Sequence, residues 1–214
     1  MVELKLPIPE DFLKEEVRCG YTVSKEMKEV WAVQLDLFAE TWNQFAKENG
    51  LEGFYFFALA QGTRNLNRFD RSCYDAVVFD RLIDLFREYE TTWFKRKLKS
   101  LHFRLHRPLR LDYNTYIDKS LESFRMDDAL VPCINPDFDH IPRSSYRWIV
   151  FDNSTPDKWE RLCHQSVGII KNRTNNNELL FIKSWNEWGE GNYLEPDQKW
   201  GRAYLDATSR ALSF

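Results

Sequence analysis

Two carboxylates stand three residues apart in Trp185-Asn186-Glu187-Trp188-Gly189-Glu190-Gly191, directly after the apolar run Leu179 to Ile182. A glutamate pair of this kind suits chemistry at a glycosidic bond: one group gives or takes a proton at oxygen while the other stabilises positive charge or assists the attacking group. Asn186 can hydrogen-bond a sugar hydroxyl, Trp185 and Trp188 offer flat apolar faces, and Gly189 and Gly191 let backbone approach a ligand closely. Taken singly, the same residues are ordinary loop glutamates, core tryptophans and turn glycines.

The elements that must position these groups read as alternating helices and strands. Met27, Trp31, Leu35, Phe38, Trp42 and Phe45 recur at helical spacing between Lys25 and Glu48, with Ser24 to cap the start and Asn49-Gly50 to end it. Gly53 to Leu59 is continuous enough for a strand buried on both sides, and Asp75 to Phe79 is a second strand feeding a helix at Leu82, Leu85, Phe86 and Tyr89. Asp112 can cap a helix through Leu121 and Phe124, followed by a third strand, Ala129 to Ile134. Thr155 and Pro156 are cap and first-turn residues for a helix through Trp159, Leu162 and Val167. A turn at Asn175 to Asn177 then leads to the fourth strand, Leu179 to Ile182, and Gly201 to Leu212 closes as a helix.

Continuous apolar strands alternating with helices imply an α/β fold with a parallel sheet. Four units are half of what a closed eight-stranded barrel needs. The reading is an open sheet or half of a (β/α)8 barrel, and with no GxGxxG or GxxxxGK[ST] after any strand the half-barrel gains weight, as one domain over 1–214. Ligands bind at the carboxyl ends of such strands, where Glu187 and Glu190 fall.

Composition narrows the setting. The chain is 43% hydrophobic and 29% charged, with a net charge of -3, which argues against disorder and against a globally basic nucleic-acid binder. The opening MVELKLPIPEDFLKEEVRCG lacks the basic start and apolar run of a secretory signal, so a cytoplasmic site of action is expected. Cys19, Cys73, Cys133 and Cys163 lack CxxC spacing and read as buried thiols. No cofactor and no metal is expected. His102 and His106 are four apart but have cationic neighbours and no third ligand, and Asp137-Phe138-Asp139 is a DxD without a mononucleotide-binding unit before it.

The string WNEWGEGNYLEPDQKWGRAYLDA, Trp185 to Ala207, closely resembles the C-terminal signature of the WbsX-type glycosyltransferase family, itself similar to the family-99 endo-α-mannosidase glycoside hydrolases. The resemblance implies that Glu190 is the general acid/base and that Glu187 assists the substrate's own 2-hydroxyl in attacking the anomeric carbon. Trp185, Asn186, Trp188, Tyr193 and Glu195 would contact the saccharide. Upstream, PCINPDFDHIPR is similar to a family segment of the type PCxxPxWDNxPR and implies ligand contacts from Asp139 and Arg143, with Phe138 and His140 departing from the usual Trp and Asn. CYDAVVF resembles an FDAxxEF strand, with Val78 in the place of the expected Glu. The family's N-terminal half has no counterpart in these residues, so the resemblance implies the C-terminal portion of a (β/α)8 TIM-like barrel, about four β/α units, and a missing N-terminal half or self-association is expected. The implied function is transfer in surface polysaccharide assembly, with a lipid-linked or nucleotide-activated sugar as substrate. The alternatives are an endo-acting glycoside hydrolase and a non-catalytic fragment that binds sugar or a partner.

The stretch Phe94 to Leu111, within a basic insertion at about 90–111, holds seven Lys or Arg and no acid, with Phe94, Leu98, Leu101 and Leu105 at helical spacing. It reads either as a helix resting on an anionic membrane or as a cover helix with its apolar face packed inward.

Overall fold

The computed structural model describes residues 25–67, 74–88, 91–144, 148–174 and 178–212, with side chains from 37 onward. Cys19, Cys73, Tyr89 and the turn at 175–177 lie outside the described residues, as do the side chains of Met27, Trp31 and Leu35. Two compact units result, Met1–Phe54 and Tyr55–Phe214.

The first unit holds α1 (Lys25–Glu48). It ends where Gly50 takes a φ of 78°, a left-handed conformation open to glycine without strain. The chain then turns back: the Leu51 N–H donates to the Ala46 carbonyl and the Phe54 N–H to Asn43 Oδ1.

The second unit is α/β. In order it contains β1 (Phe57–Gln61), α2 (Thr63–Leu66), β2 (Ala76–Asp80), α3 (Leu82–Arg87), α4 (Trp93–Arg104), β3 (Leu109–Asp112), α5 (Tyr113–Met126) and β4 (Leu130–Ile134). Then follow α6 (Ile141–Ser144), β5 (Ile149–Asp152), α7 (Pro156–Lys171), β6 (Phe181–Ile182), the short β7 (Asn186–Glu187) and β8 (Asn192–Tyr193), and α8 (Ala203–Leu212). Strands β1-β2-β4-β6 form one parallel sheet in that order, so the four expected strands are indeed neighbours.

Three expectations need correction. The first strand is Phe57–Gln61, not Gly53 to Leu59, and it is buried on one face only. Ala58 and Ala60 are covered while Phe57 and Leu59 are exposed, because β1 stands at the edge of the described sheet. The last strand keeps only Phe181–Ile182 of its four expected residues. Finally, the basic helix stops at Arg104: His106 takes a φ of 55°, Pro108 follows, and Leu109–Asp112 pairs in parallel with Ile149–Asp152 as a separate two-stranded sheet. Neither strand of that pair was expected.

The main core packs α5, α7 and α8 around β3 and β5, with Tyr113, Tyr116, Phe124, Ile149 and Trp159 fully buried. Trp159 keeps its indole N–H satisfied by donating to Thr208 Oγ1 at 2.8 Å. Caps are those the sequence announces: Asp112 accepts from Asn114 N–H, and Thr155 accepts from Lys158 N–H ahead of Pro156.

Register defines the sheet's two faces, since paired residues of a parallel ladder share a side. Phe57 pairs with Ala76, Leu59 with Val78 and Gln61 with Asp80; Val78 pairs with Val131, Asp80 with Cys133, and Cys133 with Phe181. Phe57 and Phe181 belong to opposite edges of the sheet, roughly 14 Å apart at about 4.8 Å per strand, yet their ring centroids lie 5.2 Å apart. The sheet is therefore curled, and this set lines its concave face.

Candidate active site

Glycine 191 sets the geometry of the signature loop. Its φ is 57°, and a Cβ there would come within 2.9 Å of the Asp139 backbone nitrogen. Only glycine lets the Glu190 carbonyl accept from the Asp139 N–H at 2.7 Å, which ties the loop after β6 to the loop after β4. Asp139 Oδ1 in turn accepts from the Ile141 N–H and starts α6, which carries Arg143.

Arg143 joins the two glutamates. Its guanidinium donates through Nη2 to Glu187 Oε1 at 2.6 Å and through Nη1 to Glu190 Oε1 at 2.9 Å, so both carboxylates face one point. Gly189 leaves room for that guanidinium, whose Nη2 would sit 3.2 Å from an added Cβ. Glu190 is the more enclosed of the pair. His140 Nε2 lies 3.3 Å from its Oε1, and Lys183 Nζ lies 3.8 Å from its Oε2.

Behind Glu190 stands a buried polar cluster that the sequence reading did not nominate. Asp80, at the carboxyl end of β2 and 1% exposed, is also 3.8 Å from Lys183 Nζ. It accepts from the Leu82 N–H at 3.0 Å and from Asn135 Nδ2 at 3.2 Å. Asn135 Nδ2 also donates to Tyr116 Oη, and Asn135 Oδ1 accepts from Asn192 Nδ2 at 2.8 Å, which reaches the signature hairpin itself. Burial, opposed by Lys183 and these hydrogen bonds, raises the Asp80 carboxyl above the usual range. Cys133 on the same face is buried and pushed up to about 12, so it is an inert thiol. Val78 does stand on the concave face without an acid, but Asp80 supplies a carboxylate one rung higher on that face. A single acid closing an apolar strand at its carboxyl end is the signal that could have found it.

The remaining nominated residues separate into a second group. Asn186 pairs with Tyr193 and Glu187 with Asn192, so the hairpin turns Asn186 and Tyr193 to one side and Glu187 to the other. Trp188 stacks on Tyr193 with centroids 3.8 Å apart, and its indole N–H donates to Glu195 Oε2 at 2.5 Å. Tyr193 Oη donates to Asp197 Oδ2. The polar ends of Tyr193 and Glu195 are thus engaged in fixing a platform whose exposed member is Trp188, 47% accessible; Trp185 is 53% accessible. Later signature residues are structural: Leu194, Tyr204 and Ala207 are buried, and Tyr204 Oη meets Ser154 Oγ at 2.7 Å. Asp137 and Asp139, the two acids of the DxD, each accept from a nearby backbone N–H, of Phe138 and Ile141 respectively.

Two proteins described as uncharacterized protein WxcX, from two strains of Xanthomonas campestris pv. campestris, are each 36% identical over 88 residues, which is 41% of this chain and 13% of theirs. The chain thus matches only a small part of those relatives' length. A solved glycoside hydrolase-like protein superposes with a TM-score of 0.50 at 14% identity, covering 84% of this chain and 50% of that one. This likeness supports the fold, a parallel α/β sheet of TIM-like type. The model of the family described as glycosyltransferase WbsX matches residues 29–208, and the chain belongs to that family.

Proposed function

We propose that the chain provides the reacting half of a glycosyltransferase site, in which Glu187 and Glu190 act at the anomeric carbon of a saccharide donor. The observation that carries this reading is the shared guanidinium: two carboxylates from one loop converge on Arg143 at the carboxyl end of a parallel sheet. Glu190, enclosed and ringed by Arg143, His140 and Lys183, is the general acid/base. Glu187, more open to solvent, assists the 2-hydroxyl of the sugar in attacking the anomeric carbon, so no protein nucleophile is needed. Lys183, held between Asp80 and Glu190, positions the Glu190 carboxylate.

Trp188 and Trp185 supply apolar faces for sugar rings, and Asp139 acts through its hold on the Arg143 loop. Concave-face residues Phe57, Leu59 and Phe181 form one side of a barrel interior whose other side comes from four further β/α units or from self-association. In this reading the donor is a lipid-linked or nucleotide-activated sugar and the product a surface polysaccharide made on the cytoplasmic side.

A second reading, hydrolysis by the same pair, is favoured by the glycoside hydrolase-like neighbour. Water and a sugar hydroxyl are equivalent acceptors for Glu190, so the products decide between them. The test measures sugar transfer and sugar release by the complete protein with Glu187→Gln and Glu190→Gln. Each variant should lose on the order of a hundredfold to ten-thousandfold in whichever reaction is native. Turnover intact in Glu190→Gln would assign the acid/base role elsewhere.

A further inference from the structure

Helix α4 turns the wrong way round for a cover helix. At 100° per residue, Leu101, Phe94, Leu105 and Leu98 fall within an arc of about 60°. The half-buried positions are instead Lys99, His102 and Phe103, centred about 120° around the helix from that arc. Phe103 packs against the core, Lys99 Nζ lies 4.1 Å from the Phe86 ring centroid, and His102 Nδ1 lies 3.4 Å from the Pro108 carbonyl oxygen. The apolar stripe therefore faces outward: Phe94 is 70% exposed, Leu98 38%, Leu101 49% and Leu105 55%, and no residue of the helix is fully buried. Inward packing of that stripe, one of the two sequence expectations, does not occur among the described residues.

Charge decides what the stripe fits. Lys97 and Arg104 flank it on one side, Lys95 and His102 lie beyond it on the other, and the sequence from Thr92 to Leu111 contains no Asp or Glu. Trp93 stands at the amino end, 67% exposed, with Lys97 Nζ 5.6 Å from its ring. Apolar side chains bordered by cations match the boundary of a bilayer, where acyl chains take the stripe and lipid phosphates take the cations. No helix among the described residues is long and apolar enough to cross a membrane, so the contact is one of lying on the surface.

We propose that α4 docks this protein on an anionic phospholipid surface through Phe94, Leu98, Leu101 and Leu105, with Lys97 and Arg104 over the headgroup phosphates. The 214-residue chain is sedimented with vesicles of phosphatidylcholine alone and with vesicles containing phosphatidylglycerol, at low and high salt. Binding is expected only to the anionic vesicles and should weaken as salt shortens the screening length from about 10 Å at 0.1 M to about 3 Å at 1 M. Lys97→Gln with Arg104→Gln should weaken it about 25-fold, roughly fivefold per cation. Leu98→Ser and Leu101→Ser should each weaken it about tenfold while far-UV circular dichroism stays unchanged, because both side chains are exposed. Equal binding to both vesicle types, no binding at low salt, or stripe variants that keep their affinity would overturn the proposal. So would light scattering showing that the stripe variants dissolve an oligomer while the parent chain ignores vesicles.

Discussion

The two rims of the concave sheet differ sharply. At the carboxyl end, Asp80, Asn135, Tyr116, Asn192, Lys183 and Arg143 form one hydrogen-bonded and ion-paired cluster with the glutamate pair, through side chains drawn from β2, α5, α6, the loops after β4 and β6, and the signature hairpin. Along the wall below, Phe57, Leu59 and Phe181 are 37%, 50% and 38% exposed, and β1 has a strand on one side only among the described residues. The carboxyl-end groups are positioned by this chain's own elements, whereas the wall has one side. In the proposed reading, chemistry and substrate enclosure are thus separable properties of the fold, the glutamate pair belonging to this chain and the enclosing side to further polypeptide or a second copy.

The largest expected effect falls on the cluster. Arg143→Ala removes the guanidinium shared by Glu187 and Glu190, and misplacement of about 1 Å can cost a hundredfold in rate. We expect about that loss in the complete protein, with unfolding stability changed by less than about 1 kcal/mol because the guanidinium is half exposed. A large loss of stability with normal rate in the surviving folded fraction would make Arg143 a structural residue and separate the two glutamates.

A smaller effect concerns pH. Burial pushes Asp137 up to about 6 from an ordinary value of 3.8, against the Phe138 N–H and Lys199, which act to lower it. Folding thus favours the protonated carboxyl. The contribution is fully present below about pH 4 and is lost as pH rises through about 6. With partial solvent access it amounts to roughly 1–2 kcal/mol. Asp137→Asn should flatten the fall in denaturant midpoint across that window, and an unchanged slope would place its origin in another group.

Much of this was legible in the sequence where a local rule is strong. The caps Asp112 and Thr155 announced α5 and α7, and the adjacency of the signature to β6 placed the glutamates. Strands β3 and β5 were missed because LRLD and IVFD are four residues each and follow arginine-rich stretches that mask them. Asp80, Asn135 and Lys183 were missed for a different reason: each is a single polar residue at the end of an apolar run, and only strand register puts all three on one face. The stripe of α4 was visible as periodicity, but its direction depends on where Phe103 packs.

The smallest effect on stability belongs to the wall. Leu59→Ser should change the unfolding free energy of the isolated chain by only about 0.5 kcal/mol, since the side chain already meets solvent. The same substitution should reduce self-association if the wall is what associates.

Light scattering of the purified 214-residue chain, run beside a transfer and hydrolysis assay, tests the separation of site and wall most directly. The account predicts a chain that associates through its concave face, or binds apolar dye there, and turns over slowly until the wall is completed. A stable monomer with full activity would contradict it, because the enclosing side of the site would then already be present.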